Sequence, residues 1–102
     1  MGSEARILLV DDHPPVREGI KSALEQNGSI KIVGEAESGA ELEMMLYDLP
    51  VDVLVLDLSL PDRSGIDLLY MIRNRFPSIK VIVLSMHNRS DYILEALQAG
   101  AL

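Results

Sequence analysis

The sequence predicts an α/β protein built on one parallel β-sheet, doubly wound, with helices on both faces. Three observations lead there. Four apolar runs alternate with segments of helical periodicity along the whole chain. Three of those runs are nearly continuous Val, Ile and Leu, the pattern of strands covered on both faces. Repeated strand–helix–strand units close into a sheet only through right-handed crossovers, which place helices on the two faces. The 102 residues suit a single domain.

The first strand is expected at Ala5 to Val10, "ARILLV". A helix follows, with Pro14 and Pro15 in its opening turn, where a missing N–H costs least. Val16, Ile20, Ala23 and Leu24 form its apolar stripe, and Asn27–Gly28 supplies the stop. The second strand, Ile30 to Glu35, alternates more than the others and reads as an edge strand. Ser38 and Glu41 have capping-box spacing before a second helix bearing Leu42, Met45, Leu46 and Leu49. "LPV" breaks that helix before the third strand, Asp52 to Asp57. Ser64 can cap a third helix whose apolar face is Leu68, Leu69, Ile72 and Phe76. "FPS" ends it ahead of a fourth strand, Ile79 to Ser85. Ser90 can cap a fourth helix bearing Ile93, Ala96 and Leu97.

Composition excludes several classes of function. A formal charge of -7 disfavours a nucleic-acid-binding surface, since phosphate backbones select Lys- and Arg-rich faces. With no cysteine there are neither disulfides nor thiolate metal sites. No apolar run approaches the ~20 residues that span a bilayer, and "MGSEAR" lacks a signal peptide's apolar stretch. A cytoplasmic protein is expected. There is no G-x-x-x-x-G-K-[ST] loop, dinucleotide fingerprint or H-E-x-x-H motif. "VLDLS" lacks the second acid that a haloacid-dehalogenase-type phosphatase carries two residues after its nucleophile.

Chemistry is sought at strand tips, because ligands of open α/β sheets bind beyond the carboxyl ends of the strands. The first strand ends at Asp11 and Asp12, the third at Asp57, the fourth at Ser85. Carboxylates brought together repel unless a cation neutralises them. An oxygen-only donor set points to a hard cation such as Mg²⁺. For any one Asp, a turn-forming or helix-capping role remains open. Asp52, Asp62 and Asp67 are read as turn or helix-surface residues. His13 has a ligand role open to it but is read as capping or packing at the helix start, and His87, past the fourth strand and near the tips, is read as a solvated loop residue. Arg73, Arg75 and Lys80 are read as a solvated basic face, and the methionines as core filling.

With "ILLVDDHPPVREGI", "VDVLVLDLSLPDRSGIDLL", "KVIVLSMHN" and "ALQAGA" in this order, the chain resembles a response-regulator receiver domain of bacterial two-component signalling. The "DDHP-VREGI" opening and "LSMHNRSDYILEALQAGA" resemble the LuxR-type (NarL/FixJ) subfamily. The resemblance implies a flavodoxin-like, CheY-like sheet of strand order 2-1-3-4(-5). It implies Asp57 as the phosphoacceptor for a sensor histidine kinase. Asp11, Asp12, Asp57 and the backbone carbonyl of Ser59 are then the Mg²⁺ ligands, and Ser85 is the switch hydroxyl. Pro61 and Gly65 match the loop after the phosphoacceptor.

The same resemblance implies a conformational switch rather than a turnover enzyme. It would control transcription through a C-terminal DNA-binding domain. Residues 1–102 are expected to be a receiver that stops before the fifth strand, its phosphate-pairing lysine and the last helix, with no output domain. That would leave the fourth strand as an open edge, suited to strand exchange and homodimerisation. Two other functions fit the residues: an interaction module of receiver fold that works without phosphate, and a Mg²⁺-dependent phosphatase.

Overall fold

A computed structural model of the protein describes residues 4–84. Ser85, His87 and the helix expected after Ser90 lie outside the described residues. The elements run β1 (Ala5–Val10), α1 (Pro14–Glu25), β2 (Ile30–Ala36), α2 (Gly39–Asp48), β3 (Val53–Asp57), α3 (Gly65–Arg75) and β4 (Lys80–Leu84). All strand pairs are parallel, in the order β2-β1-β3-β4. The expected order therefore holds for the four strands, and β2 lies at an edge as its alternation suggested.

Alternate residues of the central strands serve opposite faces. Ile7, Leu9, Val53, Val55, Ile82 and Leu84 pack with Ile20 and Leu24 of α1. Leu8, Val10, Leu54 and Leu56 pack with Leu42 and Leu46 of α2 and with Leu68 and Ile72 of α3. This two-sided burial is why β1 and β3 read as unbroken apolar runs. With α1 on one face and α2 and α3 on the other, the winding reverses between β1 and β3. Their carboxyl ends border the crevice where such sheets bind ligands.

Local chemistry explains the element ends, and departs from expectation in places. Val16 is 49% exposed, so the α1 stripe narrows to Ile20 and Leu24, with Ala23 half-buried. Among the described residues no glycine has positive φ, so α1 does not stop at a left-handed Gly28. Instead the chain turns on Asn27, whose Oδ1 accepts the Ser29 N–H at 2.9 Å. Ser38 caps α2 by accepting the Glu41 N–H at 3.1 Å. The return bond of the expected box slips by one residue, Glu41 Oε1 accepting the N–H of Glu37 at 2.7 Å. Leu49, ahead of Pro50, is extended (φ -115°, ψ 143°), as proline's clash with the preceding residue requires.

In β2 the register slips between Ile32 and Gly34, leaving Val33 as a bulge. Gly34 then lies under Leu49 and Leu8, whose Cδ1 atoms would stand 3.0 and 3.1 Å from an added Cβ. Met45 and Met71 pack on the core, but Met44 is 67% exposed and fills none of it. Of the basic residues expected to be solvated, Arg73, Arg75 and Lys80 are all exposed, and Arg75 also donates to Glu43 Oε2 at 2.9 Å and to the Tyr47 hydroxyl at 3.1 Å. These bonds join α3 to α2.

Candidate metal centre at the strand tips

Asp11 is the first residue beyond β1 and, among the described residues, the one buried charged side chain, 4% exposed. Its N–H bonds the Ala36 carbonyl at 3.1 Å, extending the β1–β2 ladder one residue past the strand. Its Oδ1 accepts the His13 N–H at 2.7 Å, closing the turn into α1. Asp57 ends β3 and does the same in its own loop, its Oδ1 accepting the Ser59 N–H at 2.9 Å and hydroxyl at 2.7 Å. Both acids thus make the turn contacts the sequence left open and still stand together at the strand tips. Each spends Oδ1 on its own turn, which fixes the carboxylate at the strand tip.

Asp11, Asp12, His13 and Asp57 each offer one ligand atom, all within 4.8 Å of one another. Asp12 Oδ1 is buried and has no hydrogen bond. The nearest cationic atom, His13 Nδ1, stands 3.0 Å away, but its hydrogen bond is to Asp11 Oδ1 at 3.1 Å. One ring N–H cannot serve both oxygens. A buried carboxylate oxygen without a donor is costly. Beside two further carboxylates it has the chemistry of a cation ligand, and the donor set fits a hard divalent ion.

His13 occupies the N-cap position of α1, but its side chain makes no capping bond. The ring turns into the acid cluster instead, reaching to 3.8 Å from Asp57 Oδ2. The hydrogen bond to Asp11, then the charge of Asp12, raise its pKa above the ordinary imidazole value. His13 Nδ1 lies 3.1, 3.0 and 3.8 Å from carboxylate oxygens of Asp11, Asp12 and Asp57, and the ring meets them as a cation when it is protonated.

Ser59, expected from sequence to offer its carbonyl, holds Asp57 through its N–H and hydroxyl. Asp62, read from sequence as a plain turn residue, accepts the N–H groups of Gly39 and Ala40 at 2.8 and 3.1 Å. It caps α2 from the loop that follows Asp57, and those bonds depress its pKa. Nothing in the sequence around it, such as an N-cap spacing, marks this contact, because the capped helix lies 22 residues upstream. Asp52 lies at the opposite end of the sheet, where it meets the backbone and guanidinium of Arg6 at 2.9–3.0 Å. Asp67 stays exposed on α3, its N–H 3.5 Å from Ser64 Oγ.

Comparison with known proteins decides the family: the response regulator receiver domain matches residues 7–102. The chain belongs to that family. The receiver is 37% identical over 99 residues to the transcriptional regulatory protein MctR of Rhizobium johnstonii, covering 94% of this chain and 45% of MctR. It is 35% identical over 97 residues to the nitrate/nitrite response regulator protein NarL of Escherichia coli, covering 95% of this chain and 45% of NarL. It therefore spans about half the length of these relatives. Among solved structures it is similar to the non-phosphorylated receiver domain of the stress response regulator RcsB from Escherichia coli. That likeness has a TM-score of 0.79 at 37% identity, over 94% of this chain and 76% of that one. This receiver is thus of the kind found in transcriptional response regulators. Among the described residues no helix is long and apolar enough to cross a membrane.

Proposed function

We propose that this receiver is a phosphorylation switch, taking a phosphoryl group onto Asp57 from the phosphohistidine of a sensor kinase. One observation carries the reading: Asp57 Oδ1 is held by Ser59, while Oδ2 makes no hydrogen bond to its own turn and lies 3.8 Å from His13 Nδ1, in a cluster with Asp11, Asp12 and an unsatisfied buried oxygen. Asp57 Oδ2 is the nucleophile. It forms a bond to phosphorus as the donor P–N bond breaks, and that bond's electron pair stays on the departing imidazole nitrogen. Ser59 keeps the carboxylate from rotating during the approach.

Asp11, Asp12, Asp57 and the Ser59 carbonyl are the residues proposed to hold Mg²⁺. When bound, Mg²⁺ supplies positive charge between the anionic phosphoryl group and the carboxylates, where most of the barrier lies. Ser85, which follows β4 in sequence, is the hydroxyl proposed to bond the new phosphoryl group. The added charge of about -1.5 to -2 then shifts the balance between two conformations. The outcome is a change of state rather than turnover. In a longer parent protein it would act in the cytoplasm on a DNA-binding output domain and so control transcription, the last in keeping with the name of the transcriptional regulatory protein it resembles.

The test is intact mass after incubation with Mg²⁺ and acetyl phosphate. A single phosphoryl adduct is expected, absent without Mg²⁺ and absent in Asp57→Asn. An adduct that survives Asp57→Asn, or none in a chain that binds Mg²⁺, would overturn the reading. Steady phosphate release from many esters would replace it with a phosphatase.

A further inference from the structure

Arg17 lies one turn into α1, with a side chain only 12% exposed, and no step above uses it. Its Nη1 donates to the backbone carbonyl of Asp11 at 2.5 Å. Its Nε donates to Glu35 Oε1 at 3.0 Å, and its Nη2 to Glu37 Oε1 at 3.3 Å. Glu35 sits on the edge strand β2, and Glu37 just beyond it. A guanidinium is buried only where hydrogen-bonded anions meet it, and here three partners converge on one planar fork.

The ion pairs at this fork match cation to anion. Lys21 Nζ pairs with Glu35 Oε2 at 2.9 Å, so two cations face two carboxylates. The fork's direct tie to the acid cluster is its bond to the Asp11 carbonyl, a geometric hold. The β1–β3 register ends at Val10↔Leu56. One residue further on, the Asp11 peptide is gripped on both sides: its N–H by Ala36 of β2 and its carbonyl by Arg17. Asp12 and the turn to His13 hang from that peptide.

We propose that Arg17 is a positioning residue of the metal centre, a strap from α1 to β2 that fixes the Asp11 peptide and thereby aims the acid pair. The inference rests on the reading of Asp11 and Asp12 as metal-holding residues. It makes a prediction opposite in sign to simple electrostatics. Removing a positive charge near a cation site should tighten cation binding. Removing a strap should weaken it, by about tenfold if Arg17 resembles other residues that orient metal ligands.

The experiment is a Mg²⁺ titration of the 102-residue chain, followed by calorimetry and by amide NMR, on the parent, Arg17→Met and Arg17→Lys. Both variants are expected to bind Mg²⁺ about tenfold more weakly. In the metal-free variants the His13 amide should exchange faster while amides of β3 keep their protection. Arg17→Lys retains the charge without the planar fork, so it also carries the test should Arg17→Met fail to fold. Unchanged or tighter binding in Arg17→Met, or parent-like affinity in Arg17→Lys, overturns the strap. Absence of Mg²⁺ binding by the parent, or binding indifferent to Asp12→Asn, instead overturns the reading of the site, and the strap with it.

Discussion

Gly65→Ala is expected to destabilise the protein and disturb the Asp57 loop, while the same substitution at Gly19 is expected to stabilise it. Gly65 opens α3 directly against Leu58, the residue after Asp57. A Cβ added there would stand 2.7 Å from Leu58 Cβ and Cδ2 and 2.8 Å from its Cα. Carbon atoms pack best at about 3.5–4.0 Å, so roughly 0.8 Å of separation must be found. The Cδ2 methyl can rotate away. The Cα cannot, so either the start of α3 or the backbone beside Asp57 must move.

Overpacking of this kind costs about 1–3 kcal/mol. Alanine's helix preference over glycine returns less than about 1 kcal/mol at a first helical position. The expected net loss is about 1–2 kcal/mol, which at about 4–8 °C per kcal/mol lowers Tm by roughly 5–15 °C. At Gly19, in the middle of α1, nothing lies within 4 Å of the added carbon. There only the helix preference acts, a gain of about 0.5–1 kcal/mol. Urea unfolding followed by far-UV circular dichroism measures both variants against the parent. A Gly65→Ala chain as stable as the parent would refute the close contact and the rigidity assigned to the loop.

Other expectations concern caps, charge and packing. Ser38→Ala should cost about 1 kcal/mol in urea unfolding, the usual loss of an N-cap. Asp62→Ala should lower the urea midpoint further, since it strands two N–H groups of α2 rather than one. Arg6 holds the Asp52 carboxyl below its ordinary range, chiefly by their side-chain hydrogen bond. A depressed carboxyl pKa favours folding above the unfolded value, and the benefit fades as pH falls through the folded one. Below about pH 4 the parent should therefore lose stability more steeply than Asp52→Asn. Equal slopes in urea midpoints taken from about pH 6 to about pH 3 would contradict this. Ile20→Ala should cost about 2–5 kcal/mol as a core truncation. Val16→Ala, at a half-exposed position on the same helix, should change stability by less than about 1 kcal/mol.

Sequence alone carried the alternation of strands and helices, because apolar periodicity reflects which faces are covered. It also carried the proline breaks, the Ser38 cap and the acids at the strand tips. Each depends on residues within a few positions of one another, or on the general rule that parallel strands end at the ligand crevice. What it missed was set by partners distant in sequence. The ring of His13 leaves its cap for the acid cluster because Asp57, 44 residues on, completes a negative pocket there. Asp62 caps a helix that precedes it, and Arg75 crosses to Glu43 and Tyr47 on the neighbouring helix. Val16 matches the α1 stripe but lies beyond the edge of the surface α1 covers. The acid pair, the phosphoacceptor candidate and the winding of the sheet were thus legible from residue order. Which acid oxygen is left buried without a donor, and that Arg17 ties the Asp11 carbonyl to Glu35 and Glu37 of the edge strand and its end, were decided only by folding. Those properties belong to distances between elements, and no local pattern encodes them.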